Sequence, residues 1–172
     1  MVQNRLVICV LAVLLALSLA AQSRFDSPTQ TVMQPSDQSV TSSTTLTDSS
    51  LVILLEANKK YAFQAYLPLN LGGTAPGYKF AWAGPTMSNS SCTPLVVNGS
   101  TSTLITAVPL AAFNSVLSGA LATSGAHTIW MEGSLEVGGT GGNLKLQFAQ
   151  STSSGQAVTL KRGARLTVQE VR

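Results

Sequence analysis

Bulky side chains recur at every second position along much of this chain. Tyr61, Phe63, Ala65 and Leu67 alternate with polar or smaller residues. So do Tyr78, Phe80 and Trp82, then Ile129, Met131, Leu135 and Val137, then Leu144, Leu146 and Phe148. A period of two places each set on one side of an extended strand, whereas a helix would scatter it around the axis. Turn-forming pairs separate the runs: Gly72-Gly73, Pro76-Gly77, Gly84-Pro85 and the stretch Gly138 to Gly142. About eight or nine short strands are expected, with no strand–helix–strand rhythm. The expected class is therefore an all-β, antiparallel sandwich or barrel.

Taken in order, the pattern predicts a first edge strand from Val40 to Leu46, then strands at Leu51–Leu55 and Tyr61–Leu69. Pro68 reads as an edge or bulge position, because proline cannot donate to a ladder. Tyr78–Ala83 is a strand, Met87–Ser102 a polar loop and Thr103–Val108 a weak strand. Leu110–Ala122 is rich in Ala and Leu but broken by Ser115, Ser118 and Gly119, and reads as a loop with one helical turn. His127–Val137 is the strongest strand. With Leu144–Ala149 and the glycine-rich turn it predicts a long hairpin. Val158–Leu160 and Leu166–Glu170, around Arg162-Gly163, predict a closing hairpin.

The N-terminus has the pattern of an export signal. Arg5 precedes an uninterrupted apolar run from Leu6 to Leu17, and Ser18-Leu19-Ala20 is a small-x-small cleavage site. That run is shorter than the roughly 20 residues of a spanning helix. The expected organisation is a signal peptide over 1–20, a polar linker over 21–38 and a β domain over 39–172. Of the two cysteines, Cys9 would leave with the signal, so Cys92 has no intrachain disulfide partner and reads as a small buried or half-buried side chain.

Only 10% of the 172 residues are charged, against about 25% in typical globular domains, and this narrows the chemistry. Downstream of the signal there is one histidine, His127. A zinc site there would need carboxylates, but Glu132 and Glu136 project from the opposite face of the same strand. Those two glutamates share a face about 13 Å apart, too far for a glycosidase pair. There is no Gly-x-Ser-x-Gly elbow, and Asp26, Asp37 and Asp48 all lie in the N-terminal third. Gly138–Gly142 is followed by neither a Lys-Ser/Thr pair nor a helix, so it is not a phosphate loop. No catalytic residue, metal or cofactor is expected. The net charge is +3, and Lys161, Arg162, Arg165 and Arg172 cluster near the C-terminus. They read as a solvated turn; nucleic-acid binding would need a denser basic stripe. Asn89-Ser90-Ser91 and Asn98-Gly99-Ser100 match the N-glycosylation pattern, which is frequent by chance in a chain this rich in Ser and Thr.

One resemblance spans roughly residues 33–172. Its pieces are Pro35 to Asp48, Leu51-Val52-Ile53-Leu54, Ala57 to Phe63 leading to Ala65-Tyr66-Leu67, and Pro76 to Pro85. Gly133 in its strand, Leu144 to Gln150 and a closing hairpin complete the order. This resembles a group of small domains in tailed-phage and prophage virion proteins, of tail, fibre or head-decoration type. The resemblance implies a jelly-roll-like sandwich, a homotrimer, and a structural or attachment role. It departs at the export signal, since virion proteins assemble in the cytoplasm. Either the domain begins near Met33 and is a virion component, or the chain is secreted.

Tyr66 and Trp130 stand on the faces opposite the main apolar sets of their strands. Such aromatics are covered by other parts of the fold, buried at a subunit interface, or stacked on a sugar. The main expectation is a non-enzymatic assembly module whose partners are copies of itself and other virion or cell-surface components. The alternative is a secreted carbohydrate-binding or adhesion domain using Tyr66, Trp82 or Trp130 on a glycan.

Overall fold

The computed structural model describes residues 28–73, 76–98, 103–107, 116–119 and 124–171. The expected signal peptide lies outside the described residues. Among these described residues twelve strands follow in order: β1 Thr29–Met33, β2 Gln38–Val40, β3 Thr47–Leu55, β4 Lys60–Leu71, β5 Tyr78–Ala83, β6 Met87–Asn98, β7 Thr103–Ala107, β8 Leu117–Gly119, β9 Gly125–Val137, β10 Gly142–Ala149, β11 Val158–Leu160 and β12 Arg165–Val171. Every pairing is antiparallel. The larger sheet runs β1-β12-β4-β9-β6-β7, with β11 also pairing β4 and β2 pairing β11; the smaller runs β3-β10-β5-β8.

The pairing is nested. The β1/β2 line pairs with β12/β11, β3 with β10, β4 with β9 and β5 with β8, and successive pairs alternate between the two sheets. A long antiparallel ribbon rolled over itself in this way is the jelly-roll arrangement. The β6–β7 hairpin is inserted between β5 and β8 and extends the larger sheet beyond β9.

Period-two patterning explains the core. Leu51, Ile53 and Leu55 of β3, Phe80 and Trp82 of β5, and Leu144, Leu146 and Phe148 of β10 are buried from the smaller sheet. Phe63, Ala65, Leu67 and Leu69 of β4, Ile129, Met131 and Leu135 of β9, and Leu166 and Val168 of β12 meet them from the larger one. Each fully buried aliphatic or aromatic side chain contributes about 1.5–3 kcal/mol. Phe63 and Trp82 join the two sheets edge to face, with ring centroids 5.5 Å apart.

Several local expectations change. The β9–β10 hairpin does not form, because the nested pairing sends β9 to the larger sheet and β10 to the smaller one. The glycine stretch is instead a crossing between sheets, where Gly138 donates its N–H to Thr86 and a Cβ on Gly141 would lie 2.6 Å from the Leu55 carbonyl oxygen. The closing hairpin is also absent: β11 and β12 lie end to end along the same side of β4. Their interruption faces Pro68, which is internal to the sheet and not at an edge. Its carbonyl accepts the Lys161 N–H at 3.0 Å, and on that side proline has no N–H for a neighbouring strand to receive. The same break separates β1 from β2. There the Asp37 carboxylate accepts the Arg162 N–H at 2.8 Å and pairs with the Lys161 ammonium.

β1 falls inside the stretch read as linker. Its exposed Thr and Gln side chains hide the strand from a burial pattern, but five register positions tie it to β12. Of the edge strand expected over Val40–Leu46, only Val40 is in a strand, at the end of β2; Thr41–Leu46 is a connection, with Ser42 at φ 55. The buried Gln150 side chain holds that connection by accepting the Ser43 N–H at 3.2 Å. Met87–Asn98 is a twelve-residue strand and not a loop. Cys92 and Val96 point inward while Ser91 and Thr93 point outward, a half-hydroxylated alternation that mimics a loop composition. Leu117–Gly119 is a strand where loop was expected; 108–115 and 120–123 lie outside the described residues.

Gly133 of β9 sits between Phe63 and Cys92 in register. A Cβ there would lie 1.9 Å from the Ser91 carbonyl oxygen and 2.9 Å from Phe63 Cε1. Gly133→Ala is expected to lower stability by about 3 kcal/mol, the scale of an overpacked site. Gly139→Ala, where nothing lies within 4 Å, should change little. Chemical denaturation of the two variants checks the contrast. The Asp37 carboxyl titrates below its ordinary value of 3.8, chiefly because of the Arg162 N–H, then the Lys161 hydrogen bond. A depressed carboxyl stabilises the fold above its unfolded pKa and loses that contribution as pH falls through the folded one. Denaturation midpoints of wild type should therefore fall more steeply below about pH 4 than those of Asp37→Asn.

Candidate functional site

The outer face of the larger sheet brings together residues that are far apart in sequence. Four register pairings place Met33 of β1, Arg165 of β12, Tyr66 of β4, Trp130 of β9 and Leu95 of β6 in one row across the strands. At about 4.8 Å per strand the row is roughly 19 Å long. Tyr66 and Trp130 meet edge to face, centroids 6.0 Å apart at 68°, a contact worth about 1 kcal/mol. The Arg165 guanidinium lies over the Tyr66 ring, 5.1 Å from its centroid, and adds about 0.5–1 kcal/mol at an exposed site. Met33 is 58% exposed.

The next row along the strands is polar: Thr31, Thr167, Gln64, Glu132 and Thr93. The row beyond it reads Gln169, Ala62, Ser134 and Ser91. Small residues at Ala62 and Ser91, above Gly133, leave a shallow dent of about 430 Å³.

Of the three aromatics expected to contact a partner, Tyr66 and Trp130 come together on this face. Trp82 does not join them. It faces the core at 3% exposure, because its β5 alternation points it at the opposite sheet, and it can neither stack on a sugar nor meet a subunit from there. Met33, Arg165 and Leu95 complete the row and carry no local sequence signal, since only the pairing order aligns them.

The titratable groups are dispersed. His127 is buried beside Leu69, while Glu132 and Glu136 stand on the outer face, and Glu136 pairs with Lys60 at 3.6 Å. Among the described residues, no group of three His, Cys, Asp or Glu side chains could hold a metal ion. No helix among them is long and apolar enough to cross a membrane. Cys92 is buried; burial pushes its thiol up to about 11, partly opposed by a hydrogen bond with Trp82.

No protein-family model matches the chain, and no curated protein matches it by sequence. Among solved structures, it is similar to that of the infectious bursal disease virus Gx strain, at 9% identity and a TM-score of 0.24, over 85% of this chain and 39% of the other. The Gt strain gives 10% identity and a TM-score of 0.25, over 85% and 42%. The VP2 subviral particle of the same virus gives 11% and 0.26, over 86% and 42%. The chain thus spans about two fifths of those proteins, and likeness at this level assigns neither fold nor function.

A protonated, enclosed thiol is a poor nucleophile. At mildly alkaline pH, Cys92 in the native protein should react with a water-soluble disulfide reagent at least about tenfold more slowly than in guanidinium. Absorbance of the released thiolate measures both rates.

Proposed function

We propose that this chain is a non-enzymatic structural module of virion type that self-associates through the outer face of its larger sheet. The single observation that carries this reading is the Met33–Arg165–Tyr66–Trp130–Leu95 row. Tyr, Trp, Met and Arg are the residues enriched at protein interfaces, whereas a solvated sheet face is populated by Ser, Thr, Gln and charged groups. The row on its Gln64 side is, by contrast, polar: Thr31, Thr167, Gln64, Glu132 and Thr93. The Tyr66–Trp130 edge contact and the Arg165 cation over Tyr66 hold the row in one geometry before a partner arrives. Little side-chain entropy then remains to be lost on docking.

The resemblance to tailed-phage virion domains supports a trimer as the assembled state and a tail, fibre or decoration role. Translation from Met33 would remove the first four residues of β1 and with them most of its ladder to β12. The module we propose therefore includes residues upstream of Met33, and with residues 1–20 acting as an export signal it is the virion-type fold reused in a secreted protein.

Light scattering on the purified protein at micromolar concentration tests the reading. A mass of three chains is expected, falling to one chain in Trp130→Glu with an unchanged far-ultraviolet spectrum. A wild-type protein that stays monomeric overturns self-association.

A further inference from the structure

The dent beside the aromatic row has a lining that a subunit contact does not need. Its floor is Ala62, Gly133 and the edge of Phe63, and its walls are Gln64, Thr93, Glu132 and Gln169, with Thr167 and Ser91 at the corners. The corner hydroxyls are already used: Thr167 bonds Thr31 at 3.0 Å, and Ser91 bonds Ser134 at 2.8 Å. The four wall side chains are different. Gln64, Thr93, Glu132 and Gln169 make no side-chain hydrogen bond or ion pair among the described residues. Two carboxamides, a hydroxyl and a carboxylate, all solvent-exposed and contributed by four adjacent strands, thus surround one apolar floor with polar atoms that only water need give up.

The chemistry of this set selects its ligand. The lining contains no Lys, Arg or His, and its one charge is the Glu132 carboxylate, so phosphates, sulfates and carboxylates are repelled. A wholly apolar ligand would strand the wall groups without partners. A metal ion would need more than one carboxylate, and no such cluster exists among the described residues. A neutral polyhydroxylated ring fits each requirement. Its hydroxyls donate to Glu132 and to the carboxamide oxygens and accept from the carboxamide N–H groups, while its C–H face rests on the floor. At about 430 Å³ the dent is in the range of small-ligand sites. It is open on one side, so the rest of a longer chain could leave toward solvent.

We infer that this dent binds a neutral pyranose, as the terminal unit of a glycan, with Glu132, Gln64, Thr93 and Gln169 as its polar contacts. This site differs from an aromatic stacking platform: it lies about 7 Å along the strands from Tyr66 and Trp130 and needs neither.

The test is a proton–nitrogen NMR titration of the purified full-length protein with glucose, galactose, mannose, N-acetylglucosamine and their disaccharides. At least one should shift amides clustered at Gln64, Thr93, Glu132 and Gln169. Glu132→Gln should weaken that binding about tenfold or more, the scale of a hydrogen bond to a charged group. Ala62→Trp, which fills the dent from an exposed position, should abolish it. Trp130→Ala should leave it in place, so loss of self-association and loss of sugar binding are read separately. No response to any saccharide overturns the inference, as does binding that survives Ala62→Trp or shifts centred on Trp130. So does a response to oligolysine alone, which would assign Glu132 to a basic protein partner.

Discussion

The ladder between β4 and β9 holds the rest of the molecule in place. It runs unbroken from Lys60↔Glu136 to Leu71↔Gly125 through the middle of the larger sheet. On its inner side it presents Phe63, Ala65, Leu67, Ile129, Met131 and Leu135 to the opposing sheet. On its outer side the same register sets Tyr66 against Trp130 and Gln64 against Glu132. A slip of one residue would exchange the two faces of a strand, exposing the core and burying the polar rows. Core and candidate sites are therefore two consequences of one register.

Two irregularities let neighbouring strands adapt to that ladder. Pro68 presents no N–H to its neighbour, and the neighbouring line breaks into β11 and β12 at that level, with Gly163 at φ 86 inside the break. The β1/β2 line breaks at the same height. Asp37 spans the gap by receiving the Arg162 N–H, and Gln34 exchanges backbone bonds with Gly163 and Ala164. Gly133 lets β6 approach β9 closely while Phe63 covers the space left by its missing side chain. These positions carry structure, and none lines the aromatic row.

A jelly roll does not choose a function; the fold serves capsid and lectin domains alike. Here one sheet face carries two adjacent but chemically distinct rows. The first has the residues of an interface and is locked by ring–ring and cation–ring contacts. The second surrounds a dent with uncommitted hydrogen-bonding groups. An assembly module that also holds a sugar would use both, one for its own copies and one for a surface it attaches to.

Alternation alone determined the all-β class, the inward sets of β3, β4, β5, β9 and β10, and the outward placement of Tyr66 and Trp130, because a strand's faces follow from the parity of its residues. Parity is blind to which strands are neighbours. It could not separate a hairpin from a crossing between sheets at Gly138–Gly142, nor one interrupted strand from a hairpin at Arg162-Gly163. It also missed β1 and β6, whose outward residues are hydroxylated. The alignment of Met33, Arg165 and Leu95 with the aromatic pair, and the gathering of Gln64, Thr93, Glu132 and Gln169, were decided by tertiary structure. Each depends on hydrogen-bonded pairing between segments tens of residues apart, which no local pattern encodes.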